Sequence, residues 1–293
     1  MQSPDLEISL PPTHKPESQQ FDNNSHKKEQ TTLASGHEDN ANDDSLLRKE
    51  EMFDFSEWRN PNIWRNASAE FWAVCVLTFM VGATAIASGS AFETGLAHIP
   101  IVGLLIIAVG PISGGHLNPL VTMTAVFTRV ISFPRGLLYI ANQTVGAAVG
   151  GALLRSLSAD TTSLGACGFN DTEFSVGRAF IGESLVAFAI AFVVYAIALD
   201  PIRSKIFSLN ATAFLVSATF AMVVWLSGGI NAGWPGAGTN PAKCFGLSVG
   251  SENFSHHWVF WLGPLLGALI YAFSNALMTS PKKQRKGVAS HNV

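Results

Sequence analysis

Apolar residues lie along this chain in long uncharged segments, which shorter charged segments separate. They do not recur at the short period of a half-buried helix or strand. Three stretches contain no Asp, Glu, Lys or Arg, at residues 94–128, 206–242 and 253–281. Each exceeds the roughly 20 residues that a membrane-spanning helix needs. We therefore predict six spanning helices, at about residues 67–91, 98–112, 134–157, 177–199, 207–227 and 256–278.

Two shorter apolar segments begin with the same dipeptide. They start at the motifs Asn118-Pro119-Leu120 and Asn240-Pro241-Ala242. Asparagine is a preferred helix N-cap and proline suits the first helical position, so each motif predicts a helix start. Each helix covers roughly 15 Å, half of a bilayer core. Two such half-helices entering from opposite faces would meet at the midplane with both positive dipole ends pointing at one spot.

The order of these elements is repeated along the chain. Each repeat has a spanning helix with one acidic residue, a second spanning helix, a half-helix and a third spanning helix. The acidic residues are Glu70 and Glu183. Three spanning helices per repeat is an odd number, so the second repeat must enter the membrane upside down. The predicted fold is an all-α membrane protein with six transmembrane helices and two re-entrant half-helices in an inverted repeat, at about residues 67–157 and 177–279.

Composition agrees with a membrane protein. The chain is 48% hydrophobic and 13% charged, which is too apolar for an ordinary soluble enzyme. Residues 1–55 are polar and predict a disordered tail, residues 56–281 form the membrane domain, and residues 282–293 form a basic tail. Lys and Arg residues near the predicted spans favour a cytoplasmic location for both termini.

Cysteine and asparagine positions give weaker signals. The three cysteines, Cys75, Cys167 and Cys244, lack the spacing of a zinc site or a disulfide framework, which favours isolated thiols. The alternatives are a bridge between Cys167 and Cys244, or a reactive thiol at Cys244. No metal site and no cofactor are predicted. Asn170 and Asn253 begin sequons and are candidate glycosylation sites.

Taken together, these residues resemble the aquaporin and aquaglyceroporin family, also called the major intrinsic proteins. The matching segments are Ser113-Gly114-Gly115-His116-Leu117-Asn118-Pro119, Gly238-Thr239-Asn240-Pro241-Ala242, Gln143 with Gly146, and Trp258-Val259-Phe260-Trp261-Leu262-Gly263-Pro264. Leu120 and the cysteine in Asn-Pro-Ala-Lys-Cys resemble the X intrinsic protein subgroup of plants and fungi.

The resemblance implies a passive plasma-membrane channel for water and small uncharged solutes such as glycerol, urea and hydrogen peroxide. Such a channel excludes protons and ions, is not an enzyme, forms a homotetramer with one pore per subunit, and has no nucleic-acid partner. Asn118 and Asn240 are expected to be central hydrogen-bond donors. Glu70 and Glu183 resemble the family's buried acids that hold the loops in place; the alternative is a proton relay.

The family builds an outer filter from four positions. Lys243 replaces the usual arginine and keeps its charge without the planar fork of donors. The other matching positions are Ala237, His98 and, by counting twelve residues back from Asn240, Gly228. The alternatives to Gly228 are Val224 and Trp225. Small side chains at Ala237 and Gly228 predict a filter wider than a water-only one, whereas Trp225 would narrow it.

Two other function classes fit the sequence less well. An ion-coupled secondary transporter also uses inverted repeats and broken helices, but it needs a charged or ion-liganding site near the midplane. The sequence offers neutral asparagines there. A membrane enzyme needs a nucleophile with a base, or metal ligands, and no such constellation is present. The channel is the favoured interpretation.

Overall fold

A computed structural model describes residues 46–88, 90–161 and 164–279. In this part of the chain, six helices are long and apolar enough to cross a membrane. They are α1 (Pro61–Ala87), α2 (Ala91–Ser113), α4 (Phe133–Leu157), α5 (Val176–Val194, continued by a π-helical turn at Tyr195–Leu199), α6 (Leu209–Gly228) and α8 (Val259–Met278). Two short helices are inserted between them, α3 (Pro119–Phe127) and α7 (Pro241–Ser251). The predicted all-helical membrane fold is confirmed.

The two short helices begin as predicted, because the same capping arrangement starts both. The side chain of Asn118 accepts a hydrogen bond from the Leu120 amide at 2.8 Å, and Asn240 accepts one from the Lys243 amide at 3.1 Å. Proline follows each asparagine at the first helical position, where its missing N–H costs nothing. With 9 and 11 residues, α3 and α7 are too short to span a bilayer.

The first two spanning helices begin six and seven residues earlier than predicted. The Asn60 side chain caps α1 by accepting from the Asn62 amide, and the Ser90 side chain caps α2 by accepting from the Glu93 amide. The prediction placed Arg65 and Glu93 outside the helices because charges are unfavourable in hydrocarbon. Both residues lie within the first turns, where a side chain can reach the interface.

Small residues bring the helices together at backbone distance. A methyl group at Gly146 or Gly150 of α4 would collide with carbonyl oxygens of α1, and one at Gly151 would collide with the Gly246 carbonyl of α7. In the second repeat, Gly263 and Gly267 of α8 pack in the same way against α5. These glycines therefore serve packing within one protomer, and the one at Gly151 brings α7 directly against α4.

The described part of the predicted N-terminal tail packs against the segment that joins α3 to α4. Residues 1–45 and the predicted C-terminal tail at 282–293 lie outside the described residues. The Leu47 amide donates to the Arg129 carbonyl at 2.9 Å, and the Trp58 indole donates to the Pro134 carbonyl at 3.0 Å. Glu57 accepts hydrogen bonds from Arg135 and Ser132. Residues 47–58 are thus hydrogen-bonded to the end of the membrane domain at which α4 begins.

Candidate functional site

The two asparagines cross-link the loops that precede the half-helices. Asn118 Nδ2 donates to the Thr239 carbonyl at 3.0 Å, and Asn240 Nδ2 donates to the Leu117 carbonyl at 2.8 Å. An amide nitrogen carries two hydrogens, and each of these bonds uses one. Both asparagines also line a cavity, so each has a second N–H with which to meet a solute.

The residue before each asparagine has an unusual backbone conformation. Leu117 and Thr239 have φ of 55° and 59°, in the left-handed region that residues other than glycine seldom occupy. Such a conformation costs on the order of 1–3 kcal/mol and persists where the surroundings enforce it. Here it accompanies the carbonyl group that accepts from the opposite asparagine, so the strain is part of the cross-link.

Glu70 holds the first loop. This buried carboxylate accepts hydrogen bonds from Ser113 Oγ at 2.6 Å, the His116 amide at 3.0 Å, the Leu117 amide at 2.7 Å and Gln143 Nε2 at 2.8 Å. Two of these donors are backbone amides directly before Asn118. The contacts are those of a residue that supports the loop, which is the role predicted for Glu70.

Glu183 occupies the corresponding place in the second repeat. Its two carboxylate oxygens accept from the Gly238 amide at 2.8 and 3.1 Å, two residues before Asn240.

His116 packs against the Tyr139 ring, and its Nδ1 lies 3.1 Å from Thr122 Oγ1. Within the described ranges, no group of His, Cys, Asp and Glu residues has the arrangement of a metal site.

A cavity of about 210 Å³ runs past the asparagine pair. One side is polar, with residues 114–118, Thr239 and Asn240. The other side is mostly apolar, with Leu77, Val102, Ile106, Val121, Val194, Val216 and Phe220. Along α2 the lining extends from His98 to Gly114, which corresponds to roughly 24 Å of helix rise. The cavity thus follows most of the thickness of a bilayer core.

His98 and Lys243 line one end of this cavity, where the predicted filter places them. Both side chains are buried, with 4% and 7% of their surface exposed. His98 Nδ1 lies 2.7 Å from the Thr94 carbonyl, and a carbonyl can only accept. Nδ1 therefore carries a hydrogen, and the neutral ring presents Nε2 as an acceptor. Lysine and histidine together offer a donor and an acceptor to one solute.

The prediction for Gly228 is not supported by its surroundings. A side chain there would meet Ala91 and the Pro235 carbonyl instead of the cavity. Trp225, the narrower alternative, packs edge-on against Phe92 and is 49% exposed on the outer surface. Counting twelve residues back from Asn240 selects the wrong residue because the loop after α6 makes a turn, closed by a bridge between Asn231 and Trp234.

The residues of α6 that line the cavity are spaced four positions apart. Thr212, Val216 and Phe220 all contribute to the lining, and Val224 is the next residue in this series. Val224 is buried. Ala237 is buried as well, and its amide donates to Ser227 Oγ at 2.9 Å. Neither Val224 nor Ala237 is among the described residues that line the cavity itself. The geometry thus favours Val224, one of the two alternatives, for the α6 position.

Two of the three cysteines form a disulfide, so the interpretation of isolated thiols is wrong for them. Cys167, in the loop between α4 and α5, is bonded to Cys244 of α7 with a Cα–Cα distance of 5.2 Å. The residues are 77 positions apart in sequence, which hid their proximity. Cys75 is free and buried, as predicted. The sequon residues Asn170 and Asn253 are exposed in loops, and their glycosylation stays a prediction.

Comparison with known proteins agrees with this geometry. The sequence profile of the family described as major intrinsic protein matches residues 57–274. Aquaporin FA-CHIP of Pelophylax lessonae is 30% identical over 80% of this chain and 90% of its own length. A probable aquaporin of the TIP type from Medicago truncatula is 35% identical over 72% of this chain and 85% of its own length.

A solved structure shares the fold. The X-ray structure of the aquaglyceroporin from Plasmodium falciparum superposes with a TM-score of 0.63 and 20% identity. The match covers 74% of this chain and 97% of the solved chain. This chain therefore contains nearly the whole fold of the solved structure.

Proposed function

The chain belongs to the major intrinsic protein family, and from this premise we propose that it is a passive channel for water and small uncharged solutes through the cavity at Asn118 and Asn240. The observation that carries the proposal is the pair of crossed bonds between these asparagines and the opposite loops. They fix two half-helix N-termini at one point of a cavity that follows the bilayer core.

The asparagine pair accounts for proton exclusion. A water molecule whose oxygen accepts from the free N–H groups of both Asn118 and Asn240 has no lone pair left for its neighbour's proton. The N-terminal ends of α3 and α7 add a positive potential at the same place, which opposes hydronium and other cations. Neutral solutes are not affected by this barrier.

The two-sided lining accounts for the passage of neutral solutes. A solute that enters hydrocarbon loses hydrogen bonds worth several kcal/mol unless the pore replaces them. Carbonyl oxygens of the loop before Asn118 supply acceptors, while Val102, Ile106 and Phe220 form an apolar wall. Among the described residues, none that lines the cavity is Asp or Glu, so the ion-coupled transporter is not favoured.

We assign the outer filter to Lys243 and His98, which line the cavity, and to Val224, the next residue on the cavity-facing side of α6. Ala237 stays a predicted filter position from the family resemblance. Valine in place of Gly228 makes this filter narrower than the sequence predicted, yet no aromatic ring occupies the α6 position. A hydroxyl group can accept from the Lys243 ammonium while donating to His98 Nε2, which suits glycerol and hydrogen peroxide as well as water. Urea offers the same combination of a donor and an acceptor.

The assembly and location are also proposals. The family resemblance supports a homotetramer, and Leu120 with Cys244 supports the X intrinsic protein subgroup. Basic residues near the spans, such as Arg129, Arg203 and Lys205, support cytoplasmic termini. The plasma membrane is the proposed location.

The function is tested by swelling measurements on proteoliposomes with two matched tryptophan variants. Val102 of α2 lines the cavity and is 5% exposed, whereas Leu104, two residues away, is 65% exposed on the outer face. Val102→Trp should reduce water permeability to that of protein-free liposomes, and Leu104→Trp should leave it near wild type. Equal permeability of both variants would place the conducting path elsewhere.

Solute range is tested on the same vesicles. Uptake of glycerol, urea and hydrogen peroxide is measured for wild type and for Val224→Trp. The larger side chain should slow glycerol more than water, since glycerol has the larger cross-section. A glycerol rate that Val224→Trp leaves unchanged would remove Val224 from the filter.

A further inference from the structure

The side chain of Lys243 carries a buried positive charge at the cavity wall. It is 7% exposed and lines the cavity beside His98. Its ammonium takes part in no hydrogen bond or ion pair with the described residues; the bond at Lys243 comes from its backbone amide. It is also not sealed in the protein, because the fully buried unpartnered side-chain atoms of the described chain are Thr78 Oγ1 and Trp234 Nε1. The ammonium therefore faces the cavity.

No acidic group of the described chain lines the cavity beside this charge. Glu183, outside the lining, attracts the Lys243 ammonium through the protein, but the two groups form no ion pair. The α7 N-terminus, three residues before Lys243, adds positive potential from its dipole. A buried cation without an ion pair or a hydrogen bond is unfavourable, and an anion beside it in the cavity would supply one.

We propose that Lys243 is a binding site for a small monovalent anion, of the size of formate or nitrate, and that the bound anion blocks the channel. This inference rests on the proposed channel function. The disulfide from Cys244 to Cys167 ties the residue after Lys243 to the loop before α5, which fixes the α7 backbone beside Lys243. The anion would accept hydrogen bonds from the ammonium in the place that a permeating hydroxyl uses.

The rest of the cavity explains why the anion blocks instead of passing. In the described chain the lining past Lys243 has no further Lys or Arg, so a departing anion meets only the partial positive charge of the two half-helix N-termini and no second full cation. The carbonyl oxygens along residues 114–117 repel negative charge, and the facing wall of Val102, Ile106 and Phe220 cannot solvate it. The anion therefore stays at Lys243, within the path of the solute.

The test measures water permeability of proteoliposomes containing the full chain, with sodium gluconate, formate or nitrate at equal concentration on both sides. Gluconate is too large for the site and serves as the reference. We expect formate or nitrate, at on the order of 0.1 M, to lower wild-type permeability about twofold or more, as a dissociation constant of roughly 10–100 mM requires. Unchanged wild-type permeability would overturn the proposal.

Three variants locate the site, each compared with its own permeability in gluconate. Lys243→Gln should abolish the block, and Lys243→Arg, which keeps the charge, should retain it. Arg178→Gln removes an exposed charge at the start of α5 and should also retain the block. A block that persists in Lys243→Gln, or disappears in Arg178→Gln, would contradict a site at Lys243.

If Lys243→Gln does not fold, the proposal is still tested by the permeabilities of wild type and Lys243→Arg in gluconate, formate and nitrate. The outcomes also separate this inference from the channel function. A wild-type protein that conducts water without any effect of formate or nitrate refutes only the anion site. A wild-type protein that conducts no water in gluconate refutes the proposed function itself.

Discussion

Replacing Glu70 by alanine is a quantitative test of how the first loop is held. Two of the four donors to this carboxylate have other acceptors, since Ser113 Oγ lies 3.3 Å from the Val109 carbonyl and Gln143 Nε2 lies 3.0 Å from Thr122 Oγ1. The amides of His116 and Leu117 have none in the described structure. Each buried N–H left without an acceptor costs about 1–3 kcal/mol, so Glu70→Ala should destabilise the protein by about 2–6 kcal/mol.

The Glu183→Ala variant provides the matched comparison. Its carboxylate accepts from one amide at hydrogen-bond distance, that of Gly238, while the Thr239 amide and the Trp234 indole interact with it at longer range. The expected loss is therefore about 1–3 kcal/mol. Glu70→Gln keeps one acceptor oxygen of the two and should fall between wild type and Glu70→Ala.

Thermal unfolding of the purified protein in detergent measures these differences. At about 2–4 °C per kcal/mol for a domain of this size, Glu70→Ala should lower Tm by about 4–24 °C and Glu183→Ala by less. Because Leu117 carries the carbonyl that binds Asn240, water permeability of Glu70→Ala should fall as well. A Tm equal to wild type, or a smaller loss than for Glu183→Ala, would refute the reasoning that the carboxylate holds this loop.

Three further substitutions test other parts of the fold. Cys167→Ser removes the bond to Cys244 and should lower stability by about 2–4 kcal/mol, and dithiothreitol should then have no additional effect on Tm. Leu120 is fully buried, so Leu120→Ala leaves a cavity and should lower the free energy of unfolding by about 2–5 kcal/mol in the same assay. Gly151→Val drives a side chain into the Gly246 carbonyl and should abolish the monodisperse peak in size-exclusion chromatography, whereas folded Gly151→Val protein would contradict this close contact.

Features with a local chemical cause were predictable from the sequence. The start of each half-helix follows from the asparagine cap and the proline after it, and both lie where expected. The positions of Glu70 and Glu183 followed from their repeated place before these motifs. The missed start of α1 carried the same signal, because Asn60 precedes Pro61, and Ser90 with Glu93 at the start of α2 is a capping-box pattern. Aromatic and charged residues near the interface obscured both.

Features that depend on the path of a loop were not predictable. The disulfide joins residues 77 positions apart, and no spacing rule connects Cys167 to Cys244. The choice of Gly228 over Val224 assumed a loop without the extra turn at Asn231. Nothing in the sequence marks Leu117 as left-handed, since leucine rarely adopts this conformation and does so here because the tertiary contacts enforce it.

The central claim is that neutral solutes pass the asparagine pair without an ion. Its most direct test records water flux and proton flux on the same proteoliposomes, with an internal pH dye and an imposed membrane potential. We predict water permeability well above that of protein-free liposomes without any ion gradient, and proton flux equal to theirs. Solute movement only under an ion gradient, or a proton flux that rises with the water flux, would contradict a passive channel at Asn118 and Asn240.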